Sequence, residues 1–245
     1  MKYGIDVSMF VNVDILKYMP DFVMIRGGEG CEYKDRKASE YAKVCEDNNI
    51  PYGIYWVLDV SSGSGAQHAA EALRTIAGLP GRVRMGVWLD CETPLAYDNV
   101  AIYEFCQKIQ DAGYYAGIYT GINQLRNETV KCDAFDKWAA FYGNDSGSLH
   151  DFSDEDKIII SNYASLWQYH SGSGTEPDLD VCFYDDLKIY DLQDNDLPQT
   201  GAGGGNGLPP EDLLDEKINE CLELITDLKD RLNQIKKIME ENHET

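Results

Sequence analysis

Eight short apolar runs, separated early on by polar stretches with helical spacing, set the tightest limit on how this chain can fold. Strand candidates lie at 3–7, 22–26, 52–57, 85–89 and 115–119, with weaker ones at 137–142, 166–169 and 179–183. They are continuous in Val, Ile, Tyr and Trp rather than alternating, which implies burial on both faces and hence a mostly parallel sheet. Helical patterns at 36–48, 66–77 and 100–112 fall between the early runs. The last of these carries apolar residues at 102, 105, 106 and 109 and stops at Gly113, as helices ending on glycine do. Strand and helix alternate with no Gly-rich nucleotide loop after the first strand. The chain is therefore expected to be α/β, an irregular (β/α) TIM-like barrel rather than a doubly wound sheet. The helical signal thins after residue 125, so the last strands are expected to follow one another closely.

The barrel pattern, residues 1–192, gives way at Gln193. The stretch 193–210, QDNDLPQTGAGGGNGLPP, has no apolar periodicity and reads as a flexible linker. Beyond it, Leu214, Ile218, Cys221, Ile225, Leu228, Leu232, Ile235 and Met239 recur at alternating steps of four and three. That is a heptad seam, and it predicts a C-terminal coiled-coil helix over 211–245 that joins copies of the chain into a homo-oligomer. A single amphipathic helix packed on the barrel is the plainer alternative, but it would carry a wider apolar stripe. The mixed Ile and Leu choices leave dimer, trimer and tetramer open.

Asp and Glu number 43 against 21 Lys and Arg, a net charge of −22. Such a field repels phosphate backbones and anionic lipid heads, so nucleic acid and membrane are not expected as partners. The seven cysteines (31, 45, 91, 106, 132, 182 and 221) form no CxxC pair and are odd in number. They read as small buried thiols of a reducing compartment rather than a zinc site or disulfide framework. The opening MKYGIDVSMF lacks a basic run followed by an apolar stretch. The expectation is synthesis in the cytoplasm without a signal peptide, so that any work outside the cell needs some other means of release.

Active sites of such barrels lie at the carboxyl ends of the strands. Asp6 closes the first strand in GIDVS, Asp90 and Glu92 close the fourth in VWLDCE, and Asp180 begins the last in PDLDVCFY. On extended backbone Asp90 and Glu92 project to one face, their Cα atoms about 6.6 Å apart at ~3.3 Å per residue. Two carboxylates so close in a half-buried cleft do not both ionise freely, so one keeps a proton. A held proton beside an ionised partner is what glycosidic cleavage requires. Solvated strand-end carboxylates are the plain alternative, because a DxE spacing arises by chance in an acidic chain. The four histidines (68, 150, 170 and 243) are scattered, so neither a metal nor a cofactor is expected. Tyr55, Tyr119, Trp167 and Tyr169 lie at or near strand ends, where they could stack on sugar rings or simply fill the barrel. Gln168 could bond a sugar substituent or satisfy backbone. Arg26, ending the second strand, could anchor a carboxylate of the cluster or form a structural ion pair.

The blocks GIDVS, DFVMIRGGEG, GIYWV, VWLDCE, YAGIYTG and LWQYHSGSG, followed by LDVCFYDD, occur in that order over about residues 1–190. Together they resemble glycoside hydrolase family 25, the Chalaropsis-type lysozymes, many of which are phage endolysins. VWLDCE and LWQYHSGSG are the discriminating blocks. The resemblance implies an irregular β/α barrel that hydrolyses the β-1,4 bond between N-acetylmuramic acid and N-acetylglucosamine in peptidoglycan. It implies Glu92 as general acid, with Asp90, Asp6 and Asp180 beside it. The family's VDLN-like run reads LDVC here, with Cys182 in place of the Asn and Asp178 competing with Asp180 for the carboxylate. The 2-acetamido group of muramic acid suggests a substrate-assisted route in which Asp90 steadies the acetamido nitrogen. Two other readings fit the same residues: a non-catalytic glycan-binding barrel assembled by the coil, and a hydrolase of another N-acetylated polysaccharide.

Overall fold

A computed structural model describes residues 1–131, 133–143 and 152–192. The linker at 193–210 and the heptad helix at 211–245, with Cys132, Cys221, His150 and His243, lie outside the described residues. The strands are β1 (Lys2–Val7), β2 (Phe22–Glu29), β3 (Tyr33–Lys34), β4 (Tyr52–Val57), β5 (Val83–Asp90), β6 (Ala116–Gly121), β7 (Asp136–Ala140), β8 (Leu166–His170) and β9 (Asp178–Cys182). The helices are α1 (Ile15–Tyr18), α2 (Ala38–Asp47), α3 (Gly65–Ile76), α4 (Asn99–Asp111), α5 (Ile122–Arg126) and α6 (Asp154–Ser161).

The strands pair in the order β1-β9-β8-β7-β6-β5-β4-β2, and β1 closes the ring by pairing with β2, while β3 hangs on β2. The result is a closed eight-stranded barrel. Every pairing from β1 through β2, β4, β5, β6 and β7 to β8 is parallel. β9 runs antiparallel to both β8 and β1. The expected parallel sheet is thus met except at its last strand. Between β8 and β9 the chain has only residues 171–177, too few for the crossover that a parallel neighbour needs, so β9 must run back. This reversal brings the beginning of β9 to the end of the barrel where the other strands finish.

Helix ends follow local chemistry. Ser64 and Gln67 form a reciprocal capping box at α3, and the Asp98 and Ser153 side chains cap α4 and α6. α4 buries Ile102, Phe105, Cys106 and Ile109, the spacing anticipated from the sequence. α5 and α6 are only five and eight residues long, which is the thinning of the helical signal after residue 125.

Period-two alternation divides the core. Facing inward are Phe22, Met24, Trp88, Tyr119, Trp138, Leu166 and Cys182, with Tyr190 from the 3-10 turn Leu187–Tyr190 in the same cluster. Facing the helices are Ile5, Val7, Val23, Ile25, Ile54, Trp56, Val87 and Leu89. Each fully buried side chain of this size contributes about 1.5–3 kcal/mol. Gly117 makes room inside: a Cβ there would sit 2.2 Å from the Trp88 ring. Cys45, Cys91, Cys106 and Cys182 are buried free thiols, and Cys31 is partly exposed. No helix among the described residues is long and apolar enough to cross a membrane.

Candidate active site

Inward-facing positions at the carboxyl end of the barrel carry polar groups instead of apolar ones. Asp6 is the penultimate residue of β1 and the Cα partner of Asp178 in β9. Asp90 ends β5 opposite Tyr119 in β6. Gln168 in β8 pairs across to Asp180, which lies two residues deeper along β9 than Asp178. The strand twist and stagger bring these side chains together over a floor that includes Trp88 and Trp138.

Glu92 lies two residues past the end of β5, and three hydrogen bonds pin the backbone of Cys91 and Glu92 there. The Cys91 amide donates to the Tyr119 carbonyl at 2.8 Å, and the Thr120 hydroxyl donates to the Cys91 carbonyl at 2.7 Å. The Tyr97 hydroxyl, beyond the 3-10 turn Pro94–Ala96, donates to the Glu92 carbonyl at 2.9 Å. The Glu92 side chain is exposed at the mouth, and Tyr119 Oη stands 3.3 Å from its Oε1.

Gln168 is the hub. Its Nε2 donates to Asp6 Oδ2 at 2.7 Å and to Asp178 Oδ2 at 3.1 Å. Its Oε1 accepts from Tyr119 at 2.7 Å and from Tyr142 at 2.5 Å. Asp178 also accepts from the Gly172 amide at 2.6 Å. Asp180 is fully buried and accepts from Trp138 Nε1 at 2.9 Å, while its Oδ2 and Asp90 Oδ1 find no hydrogen-bond partner among the described residues.

Five carboxyls thus share one end of the barrel, and all of them hold protons above their ordinary range. Burial raises Asp6, reinforced by the charges of Asp178 and Asp180. Burial raises Asp180, with Asp178 adding to it. Asp90 is raised by burial and then by Glu92, against a downward pull from Arg26. Asp178 is raised by burial, opposed by the Gly172 amide and by His170. Glu92, open to solvent on one side, is raised by partial desolvation; Tyr119 pulls the other way whenever its single hydroxyl proton turns to Glu92, and Asp178 adds to the rise. Such a group of acids cannot all ionise together.

Three expectations need correcting. Trp167 and Tyr169 alternate with Gln168 on β8, so they face outward; there they pack with Phe152 at ring distances of 4.8 and 4.9 Å and are 1% and 2% exposed. They serve the outer core, not a sugar groove. Gln168 has no polar atom left over for a sugar, because all four of its hydrogen bonds go to protein side chains. Asp180 sits below the mouth, and its neighbour Asp178 occupies the partly exposed position. Tyr55 and Tyr119 do face the cluster, Tyr55 with its ring edge-on to Trp138 at 6.0 Å. Arg26 pairs with Glu29 and lies between the rings of Phe10 and Tyr33, at 5.2 and 5.4 Å, so its direct ion pair is not with the cluster. Tyr142, absent from the sequence reading, joins the site just past β7; its only signal was that it ends the run WAAFY.

The family model described as Glycosyl hydrolases family 25 matches residues 5–177. No curated protein matches the chain. Among solved structures, the catalytic domain of endolysin ply40 from bacteriophage P40 of Listeria monocytogenes is 22% identical, with a TM-score of 0.58, covering 77% of this chain and 96% of that one. A family GH25 lysozyme from Aspergillus fumigatus is 19% identical with a TM-score of 0.59, covering 78% and 98%. The modular autolysin LytC from Streptococcus pneumoniae is 19% identical with a TM-score of 0.54, covering 73% of this chain. This chain covers 46% of the LytC structure's length. At these identities the likeness is one of fold.

Proposed function

For a chain that belongs to glycosyl hydrolases family 25, we propose an N-acetylmuramidase that cleaves the β-1,4 bond between N-acetylmuramic acid and N-acetylglucosamine in bacterial peptidoglycan. The observation that carries the reading is the set of crowded carboxyls at the barrel mouth, with Glu92 exposed among them. A binding module gains nothing from such a cluster, since buried carboxyls cost stability unless their chemistry is used.

In this reading Glu92 gives its proton to the leaving glycosidic oxygen. The 2-acetamido oxygen of the muramic residue attacks the anomeric carbon as the C–O bond breaks, and Asp90 steadies the acetamido N–H. Water then opens the cyclic intermediate and passes a proton back to Glu92. Asp6 and Asp178 flank the reacting carbon with negative field, while Asp180, sealed beneath them, orients Asp6. Tyr55 and Tyr119 offer inward-facing rings at the same level.

We also assign the chain the role of an endolysin-type wall hydrolase, whose heptad segment at 211–242 joins several catalytic barrels on the tether 193–210. Multivalency then supplies the wall affinity that a net charge of −22 does not. The test is clearing of purified wall suspensions. Wild type should clear them, and Glu92→Gln, folded by circular dichroism, should be slower by about 10²- to 10⁴-fold. Mass spectrometry of the products should find muramic acid at the new reducing ends. Reducing ends on glucosamine, or no products from the wild type, would reject the assignment.

A further inference from the structure

Gln168 joins the two halves of the carboxyl cluster, and its amide is chemically different at its two ends. The NH₂ end faces Asp6 Oδ2 and Asp178 Oδ2, and the C=O end faces Tyr119 and Tyr142. The opposite orientation would set a carbonyl against two carboxyl oxygens, so the amide has one stable direction. Tyr119 has a single hydroxyl proton and two acceptors within reach, Gln168 Oε1 at 2.7 Å and Glu92 Oε1 at 3.3 Å. The shorter contact takes the proton. What Tyr119 then shows to Glu92 is a lone pair.

We propose that Gln168 is a positioning residue that sorts protons: its carbonyl, acting through Tyr119, selects the protonated form of Glu92, while its NH₂ keeps the facing oxygens of Asp6 and Asp178 bare. The chain runs Glu92 O–H to Tyr119, Tyr119 O–H to the Gln168 carbonyl, then Gln168 N–H to the two aspartates. Any proton held within Asp6, Asp178 and Asp180 sits on the oxygens that Gln168 does not touch, shared through the hydrogen bonds of Asp6 with Asp178 and Asp180. Glu92 therefore starts each turnover as the acid, and the negative field comes from the opposite side of the barrel. This rests on the muramidase reading for the use of the proton, but not for its location.

The other charged and titratable groups around Glu92 are Asp90 on β5, Asp178 on β9, Tyr142 after β7, Asp6 on β1, and Arg26 with Glu29 on β2. Tyr142 gives its own proton to the same carbonyl and also hydrogen-bonds with Tyr119.

The experiment is a titration of the Glu92 carboxyl in the full chain by ¹³C NMR with labelled glutamate, its signal assigned by its loss in Glu92→Gln. Tyr119→Phe decides by sign. If Tyr119 accepts from Glu92, deleting its oxygen lowers the Glu92 pKa by about one unit; if it donates to an ionised Glu92, the pKa rises. Gln168→Met should also lower it, by freeing the Tyr119 proton to turn toward Glu92, and should add nothing in a Tyr119→Phe background. A rise in Tyr119→Phe, or an unchanged value in Gln168→Met, overturns the proposal. Should Gln168→Met not fold, the sign in Tyr119→Phe still decides. Absence of wall cleavage by the wild type would end the muramidase reading and leave this titration as it stands, so the two fail separately.

Discussion

Asp90 and Glu92 stand two positions apart but in different surroundings: Asp90 closes a strand inside the barrel, whereas Glu92 reaches the mouth. Because burial raises Glu92 above its ordinary 4.5, wall clearing should persist at pH values where a free glutamate has lost its proton. It should fall away as pH rises through the raised pKa, and a pH–rate profile checks this. Asp180 makes the complementary prediction for stability. Its folded pKa is raised, so the folded state binds the extra proton; that stability is fully present below the unfolded value of 3.8 and is lost as pH rises through the folded one. Asp180→Asn keeps an acceptor for Trp138 and removes the titration. It should be more stable than wild type by about 1–2 kcal/mol at neutral pH, with the difference shrinking toward pH 4 in urea unfolding. The DxE pair was legible in sequence because its residue types and placement are local. The choice between Asp178 and Asp180 was not: both share one face of β9, and only depth within the barrel separates them.

Strands and helices were read well where period and capping act locally. The run 52–57 matches β4 as observed, and the apolar face of α4 follows its sequence spacing. Misreadings came from facing. A terminal aromatic on a strand can point in or out, and the position of Gln168 on β8 sends Trp167 and Tyr169 outward. The contact between α3 and α4 is another feature that no single-element pattern reveals. A Cβ on Gly65 would lie 1.8 Å from the Ala101 carbonyl oxygen, so only glycine lets the start of α3 approach α4 this closely. Gly65→Ala should therefore cost about 1–3 kcal/mol, measurable by urea unfolding, with the active-site pKa values unchanged.

For the whole molecule, the proposed assembly through 211–242 predicts that the full chain sediments and scatters light as an oligomer and that a 1–192 truncation is a monomer. Equal monomer masses would end that idea. Wall clearing per barrel should also drop on truncation, most at low enzyme concentration, where multivalency matters. The sequence alone determined that this is an α/β barrel carrying acids at strand ends, because burial on both faces and helix periodicity are written in runs of a few residues. It also carried the family's blocks in order. Tertiary structure alone decided that β9 runs backward and which aspartate reaches the mouth. It also turned Gln168 from a sugar ligand into the link between Asp6, Asp178 and Tyr119. Those outcomes depend on closure of the ring and on strand stagger, which place residues 162 positions apart, Asp6 and Gln168, within 2.7 Å. No local pattern encodes such a distance.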